Sequence, residues 1–126
     1  MGHLAVSYEL LGKVKEASEM KERILEAQMR MLGEEHPETL ITMGNLANSY
    51  WSLGKVKEAA EMEEKVLEAR SRILGDEHPD TLWAMGNLAL SYRSLGKVKE
   101  AAEMEEKVVE ARSRILGKEH TIQSFT

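Results

Sequence analysis

The sequence predicts an all-α fold in which pairs of helices repeat along the chain as an α-solenoid. The composition favours helices, because Ala, Leu, Glu and Lys are abundant whereas only 5% of the 126 residues are aromatic. The chain also repeats itself, since residues 34–75 and 76–117 differ at only 7 of 42 positions. A period of this length is typical of solenoids, in which each unit buries its apolar face against its neighbours.

The repeat boundaries divide the chain into one array and a short tail. The array covers residues 1–120 and consists of a truncated repeat at 1–33 and full repeats at 34–75 and 76–117. A fourth copy begins after Gly117, but Thr121 stands where the pattern expects proline. We therefore expect residues 118–126 to be an aborted repeat or a disordered tail.

Each full repeat predicts two helices joined by short turns. The first begins near His36-Pro37, because proline suits the first turn of a helix, and ends at Gly54. The second runs from about Val56 to Leu74, and Gly75 supplies the left-handed residue that closes it. Helical periodicity gives the first helix a packed face of Met43, Leu46, Ala47, Tyr50 and Leu53. The second helix carries the apolar rows Ala59, Val66 and Ile73, then Ala60, Leu67 and Leu74, then Met62 and Ala69.

Composition argues against several function classes. Without cysteine, the chain has no disulfide, thiol nucleophile or thiolate zinc site. Acidic residues outnumber basic ones 22 to 17 and neither sign forms blocks, so nucleic acid is not an expected partner. No apolar run approaches the roughly 20 residues of a membrane helix, and the N-terminus does not resemble a signal peptide. We expect a cytoplasmic protein with no membrane partner.

Candidate catalytic chemistry is sparse. His36, His78 and His120 recur once per repeat, but equivalent residues one repeat apart are too distant to share an ion. We predict that they mark helix starts instead. The Gly54-Lys55 pair lacks the other residues of a phosphate-binding loop, and no metalloprotease, serine-hydrolase or paired-carboxylate motif occurs. The sequence therefore predicts no enzyme, no metal site and no cofactor.

Several residues resemble a known family. Leu46-Ala47, Tyr50, Gly54-Lys55 and Ala59 keep the order and spacing of the tetratricopeptide repeat (TPR). The 42-residue period and the phrase Gly75–Leu82 resemble the kinesin-light-chain type. The run Met85-Gly86-Asn87-Leu88-Ala89 is similar to near-identical arrays of fungal NB-ARC and NACHT proteins, which are STAND or NLR-like signalling proteins. The resemblance implies a right-handed solenoid of helix-turn-helix repeats whose first helices line a concave groove.

One departure from the family lies within the apolar arc of the second helix. Lys21, Glu63 and Glu105 occupy a position that is often aromatic in the family. Glu63 and Arg70, repeated as Glu105 and Arg112, are predicted to lie where neighbouring helices meet, with packed stems and paired charges.

The two full repeats differ mainly on one face of the first helix, opposite its packed face. Ile41, Thr42, Asn48 and Trp51 of one repeat correspond to Trp83, Ala84, Leu90 and Arg93 of the next, and Val6 and Glu9 belong to the same columns. Drift on an exposed surface would also scatter changes over the second helix, which differs only at Leu67/Val109. The contrast favours a surface diversified to recognise ligands, although the truncated repeat shows some drift.

Large side chains in these columns are the leading candidates for ligand contact. Trp51, Trp83 and Arg93 belong to residue types that often anchor interfaces. Asn45 and its copy Asn87 lie in the same arc and are able to donate to and accept from a peptide backbone, a role that the family resemblance also implies. A local hydrogen bond inside the repeat is the alternative for this asparagine.

These observations predict a non-enzymatic scaffold that binds a protein or peptide in its groove. One alternative is the ligand-sensing segment of a larger NLR-like signalling NTPase. Another is a structural or engineered repeat array with no ligand.

The ends of the array predict self-association, because a terminal repeat without a polar cap leaves apolar surface uncovered. The residues expected to take part are Leu4, Tyr8 and Leu11 at one end and Val108, Val109, Ile115 and Leu116 at the other. A two-fold dimer, head-to-tail stacking and exchange of a helix between chains are the possible arrangements.

Overall fold

The structure is a computed structural model that describes the backbone of residues 2–124 and the side chains of residues 12–117. Within that part the regular structure is all helical: α1 Gly2–Met31, α2 Pro37–Ser52, α3 Val56–Leu74, α4 Pro79–Ser94 and α5 Val98–Ser124. The chain divides into two compact units, Met1–Val66 and Leu67–Thr126. In the first unit α1 packs against α2, and in the second α4 packs against α5. No helix in the described range has the length and apolar character needed to cross a membrane.

Histidines begin both of the proline-led helices, as the sequence predicts. The Nδ1 atom of His36 accepts a hydrogen bond from the Glu38 backbone N–H at 3.2 Å, and His78 accepts from Asp80 at 3.1 Å. Each histidine thereby satisfies one of the backbone donors that an isolated helix start leaves unpaired. His120 lies outside the residues whose side chains are described.

Left-handed glycines end the same two helices. Gly54 has φ 79° and Gly96 has φ 85°, which a residue without Cβ adopts freely. In the first case the Lys55 N–H bonds to the Tyr50 carbonyl oxygen at 2.7 Å and the Gly54 N–H to that of Trp51 at 3.0 Å. This is the hydrogen-bond pattern of a Schellman motif, and it turns the chain into the next helix.

Two helices run further than the repeat pattern predicts. The first repeat is one continuous helix through Gly12, where the pattern predicted a turn between two helices. Leu10 replaces the serine of the later copies there and is the better helix former. Helix α5 passes through Gly117 to Ser124, whereas the equivalent Gly75 ends α3 at φ 95°. After Gly75 the chain reaches Pro79, which begins α4, whereas the last copy has Thr121 in that place and the helix continues.

The core follows the predicted packed face of the first helices. Thr39, Leu40, Met43, Leu46 and Ala47 of α2 are buried. Their counterparts on α4 are buried as well, except Met85, which is half-buried. Small residues dominate the buried apolar positions of α3 and α5, which are Ala59, Ala60, Val66, Ala69, Ala101, Val108 and Ala111. The ends of the predicted apolar rows on α3 do not join the core, since Ile73 and Leu74 are exposed.

Candidate ligand-binding face

Helix α4 presents an exposed apolar face. Trp83 is 64% exposed and Leu90 58% exposed, and the half-buried Asn87 lies between them. These residues follow the i, i+4, i+7 spacing that places side chains in one row along a helix. We call Trp83, Asn87 and Leu90 the α4 face.

The corresponding row on α2 is more polar. Ile41 is 54% exposed, and Asn45 and Asn48 are exposed as well. Trp51, one turn further on, keeps 39% of its surface exposed. The two helices therefore present the same arc with different chemistry.

Packing on the opposite side fixes the direction of the α4 face. Leu82, Leu88 and Ala89 are at most 3% exposed, so the other side of the helix is committed to the core. Because α4 packs into the core by that side, Trp83 and Leu90 on the opposite side point away from the core.

Of the residues predicted for the variable surface, one is buried and another is only partly exposed. Ala84 is only 5% exposed, and Thr42 is half-buried with its hydroxyl donating to the Glu38 carbonyl oxygen at 3.1 Å. Their column borders the packed arc of the helix, so it lies between the buried and the exposed face. Ala84 is therefore a packing residue.

Arg93 is engaged in an ion pair inside its own repeat. Its Nη2 atom lies 2.9 and 2.8 Å from the two carboxylate oxygens of Glu105 on α5. Both side chains remain nearly half exposed, so the pair contributes little to stability but fixes where the guanidinium lies. Glu105 thus also belongs to this region, although it was not among the residues predicted for it. The sequence contains a signal for this pairing, because positions 93 and 105 carry opposite charges. The equivalent positions of the first repeat, Glu9 and Lys21, also carry opposite charges, with the signs reversed.

Polar contacts in the first unit hold α2 against α1. The Lys21 ammonium donates to the Ser49 hydroxyl at 2.8 Å, and the Tyr50 hydroxyl donates to Glu22 at 2.8 Å. Burial, together with the nearby carboxylates of Glu22 and Glu58, raises the pKa of Tyr50 from 10.0 to about 12. Lys21 therefore contacts the first helix of the next repeat, as expected for its column, whereas Glu105 pairs with Arg93 of its own repeat and not with an adjacent one.

The other charged residues that were predicted to lie where neighbouring helices meet differ in exposure. Glu63 is buried and Arg70 is half-buried, but Arg112 is exposed, which corrects the prediction that its stem is packed between helices.

A cavity of about 300 Å³ lies between α4 and α5, away from the α4 face. It is lined by Asp76, Glu77, Leu82, Met85, Lys107, Glu110, Ala111 and Arg114. Arg114 on its rim is paired with Glu77, with Nη2 2.7 Å from Oε1. The ion pair therefore neutralises the charge of Arg114 on this rim.

The residues predicted at the ends of the array have mixed positions. Val109 and Leu116 are exposed and Ile115 is half-buried, but Val108 is buried, which corrects the expectation that its whole row is uncovered. Val108 lies on the side of α5 that packs against α4. The N-terminal candidates Leu4, Tyr8 and Leu11, with Val6 and Glu9, lie outside the residues whose side chains are described.

Comparison with known proteins decides the family. The sequence profile of the tetratricopeptide repeat matches residues 1–72 and 64–114. The chain belongs to the tetratricopeptide repeat family. Together with the five helices, this match confirms the predicted all-α, TPR-type solenoid class.

Solved TPR structures resemble the chain. A crystal structure of nearly identical TPR-like repeats of a kinesin light chain-like protein from Podosopora anserina, and that of a single-residue variant, both match with TM-score 0.77 and 34% identity. Each match covers 90% of this TPR chain and 56% of the solved one, so the chain spans little more than half the length of these relatives. The crystal structure of BtubC (BKLC) from P. vanneervenii matches with TM-score 0.75 and 25% identity, covering 82% of this chain and 41% of that one. No curated protein matches the sequence.

Proposed function

We propose that this TPR chain is a non-enzymatic scaffold that binds a peptide segment of a partner protein through the exposed faces of its first helices. The observation that carries the proposal is the α4 face, where Trp83 and Leu90 expose more than half of their surface in one helical row. TPR proteins in general are protein-interaction scaffolds, which agrees with this role.

The chemistry of the α4 face favours a partner with apolar side chains at helical or extended spacing. A tryptophan offers a large contact area at a small cost in conformational entropy, and the leucine one row away extends it. The carboxamide of Asn87 between them suits a backbone amide of the partner. The Arg93–Glu105 pair borders the same arc and would hydrogen-bond to a polar group at the end of the bound segment.

Variation between repeats supports recognition over a purely structural role. The α2 row carries Ile41 and Asn48 where the α4 face carries Trp83 and Leu90, while the buried positions of the two helices hardly change. Each first helix would therefore read a different part of a ligand. The sensor role in an NLR-like signalling NTPase stays a prediction, and a nucleotide-binding domain in the parent chain would support it.

Selection from a random peptide library displayed on phage, followed by calorimetric titration, tests the proposal. We expect Trp83→Ala and Leu90→Ala each to weaken the Kd of a selected peptide about tenfold or more, as loss of an anchor residue does. Leu116→Ala is the matched control, because it removes an equally exposed leucine from a different helix. Circular dichroism should show unchanged helicity in all three variants.

Two outcomes would contradict the proposal. The first is a library that yields no binder above background. The second is a set of binders whose affinity falls as much in Leu116→Ala as in the variants of the α4 face.

A further inference from the structure

Three nearly identical eight-residue segments of this chain take two different conformations. Residues 52–59 and 94–101 are identical and form the turns after α2 and α4, with Gly54 and Gly96 left-handed. Residues 10–17 differ from them only in having leucine in place of the initial serine, yet they run straight through the middle of α1. The segment around Gly12 is therefore able to form either a helix or a turn.

Because α1 is one continuous helix, no other helix packs against one of its faces in the described part of the chain. Helix α5 packs against α4, and its residues Val108 and Ala111 are 6% and 3% exposed. Their counterparts in the repeat, Ile24 and Ala27, are 48% exposed and exposed, respectively. Met20 and Met31, on the same face of α1, are 62% and 82% exposed. The face that a first helix covers in the last repeat is thus open in the first one.

The sequence of a suitable cover is present at the start of α1. Residues 2–11 correspond to 86–95, and Leu4, Ala5, Tyr8 and Leu11 repeat Leu88, Ala89, Tyr92 and Leu95 of α4. A helix rises 1.5 Å per residue, so Leu4 and Ile24 lie roughly 30 Å apart along a straight α1. Residues 2–11 therefore cannot cover the open face of their own helix while α1 stays straight.

We infer that two copies of this chain exchange these N-terminal segments. Residues 2–11 of each copy lie against the open face of α1 in the other, in the way that α4 lies against α5. The same kind of helix packing already occurs between α4 and α5 within the chain. In the dimer the two packed segments belong to different copies.

Charge complementarity supports the same pairing. Glu9 corresponds to Arg93, and Lys21 corresponds to Glu105, so the opposite charges that form an ion pair in the last repeat recur in the sequence with reversed signs. The exchanged dimer brings Glu9 of one copy to Lys21 of the other, and does so twice. Lys21 keeps two further ammonium hydrogens besides the one donated to Ser49.

Light scattering over a concentration series tests the exchange. We expect a dimer of twice the 14.2 kDa chain mass that dissociates on dilution. Leu10→Ser makes residues 10–17 identical to the two turns and should shift the equilibrium towards a monomer. Gly12→Ala disfavours the left-handed turn and should keep the dimer. Gly44→Ala is the matched control, because it is an equally open glycine within a helix and should change nothing in assembly.

A charge exchange separates this arrangement from other contacts. We expect Glu9→Lys and Lys21→Glu each to weaken the dimer, by up to about fivefold for each of its two pairs. An equimolar mixture of the two variants should form a heterodimer preferentially, because both of its pairs are again opposite in charge. A chain whose segment folds back on its own helix would show no such heterodimer.

Three outcomes would overturn the inference. Wild-type chain that stays monomeric at millimolar concentration is one. A dimer that Leu10→Ser and the charge variants leave unchanged is another. The third is a dimer abolished by Val109→Glu, which would place the contact on the exposed side of α5 instead.

Discussion

Two leucines on α4, separated by one residue, should respond very differently to truncation. Leu88 is 2% exposed, so replacing it with alanine removes three carbon atoms from the core at about 0.8 kcal/mol each. The cavity left behind adds to this loss, which brings the expected destabilisation of Leu88→Ala to about 2–5 kcal/mol. Leu90 is 58% exposed, so Leu90→Ala should lose less than half of the transfer term, at most about 1 kcal/mol.

Urea unfolding followed by circular dichroism at 222 nm measures both variants against the parent chain. The midpoint of Leu88→Ala should fall well below that of Leu90→Ala, with a similar slope for the two. If Leu90→Ala is as destabilised as Leu88→Ala, the phase of α4 is wrong and the α4 face is part of the core.

Three further perturbations test the local structure. Gly96→Ala should lower the free energy of unfolding by about 1–2 kcal/mol, because φ is 85° there, whereas Gly86→Ala inside α4 should raise it by up to about 1 kcal/mol. Thr81→Val should cost nothing or stabilise the chain, since the buried Thr81 hydroxyl has no hydrogen-bond partner among the described residues. The pKa of Tyr50 is raised to about 12, so the stability from its neutral phenol is complete below pH 10 and is lost as the pH rises towards 12. Urea midpoints over that window should fall less steeply in Tyr50→Phe.

Sequence periodicity predicted the features that recur in the same form in each full repeat. The histidine starts, the left-handed glycines and the buried face of α2 follow from local chemistry and the 3.6-residue period. The same reasoning failed at Gly12, because a nearly identical local sequence forms a helix there and a turn at Gly54 and Gly96. Local propensities that are close to balanced leave the choice to the surrounding contacts.

The candidate site was predictable to a similar degree. The contrast between repeats identified Trp83 and Leu90, which are exposed, but placed Ala84 beside them although it is buried. A helical wheel gives directions, whereas burial at the edge of the arc depends on the size and distance of the neighbouring helix. For the same reason the apolar rows predicted packing for Ile73, which is exposed.

In the proposed mechanism, the buried faces that are the same in each repeat stabilise the fold, while the α4 face binds the ligand. Titrating a selected peptide into ¹⁵N-labelled chain and following the amide and indole signals tests it most directly. We expect the largest shifts at the Trp83 indole N–H and at the amides of Asn87 and Leu90. Shifts centred on Met85 and Arg114, which line the cavity between α4 and α5, with an unmoved Trp83 indole would contradict it.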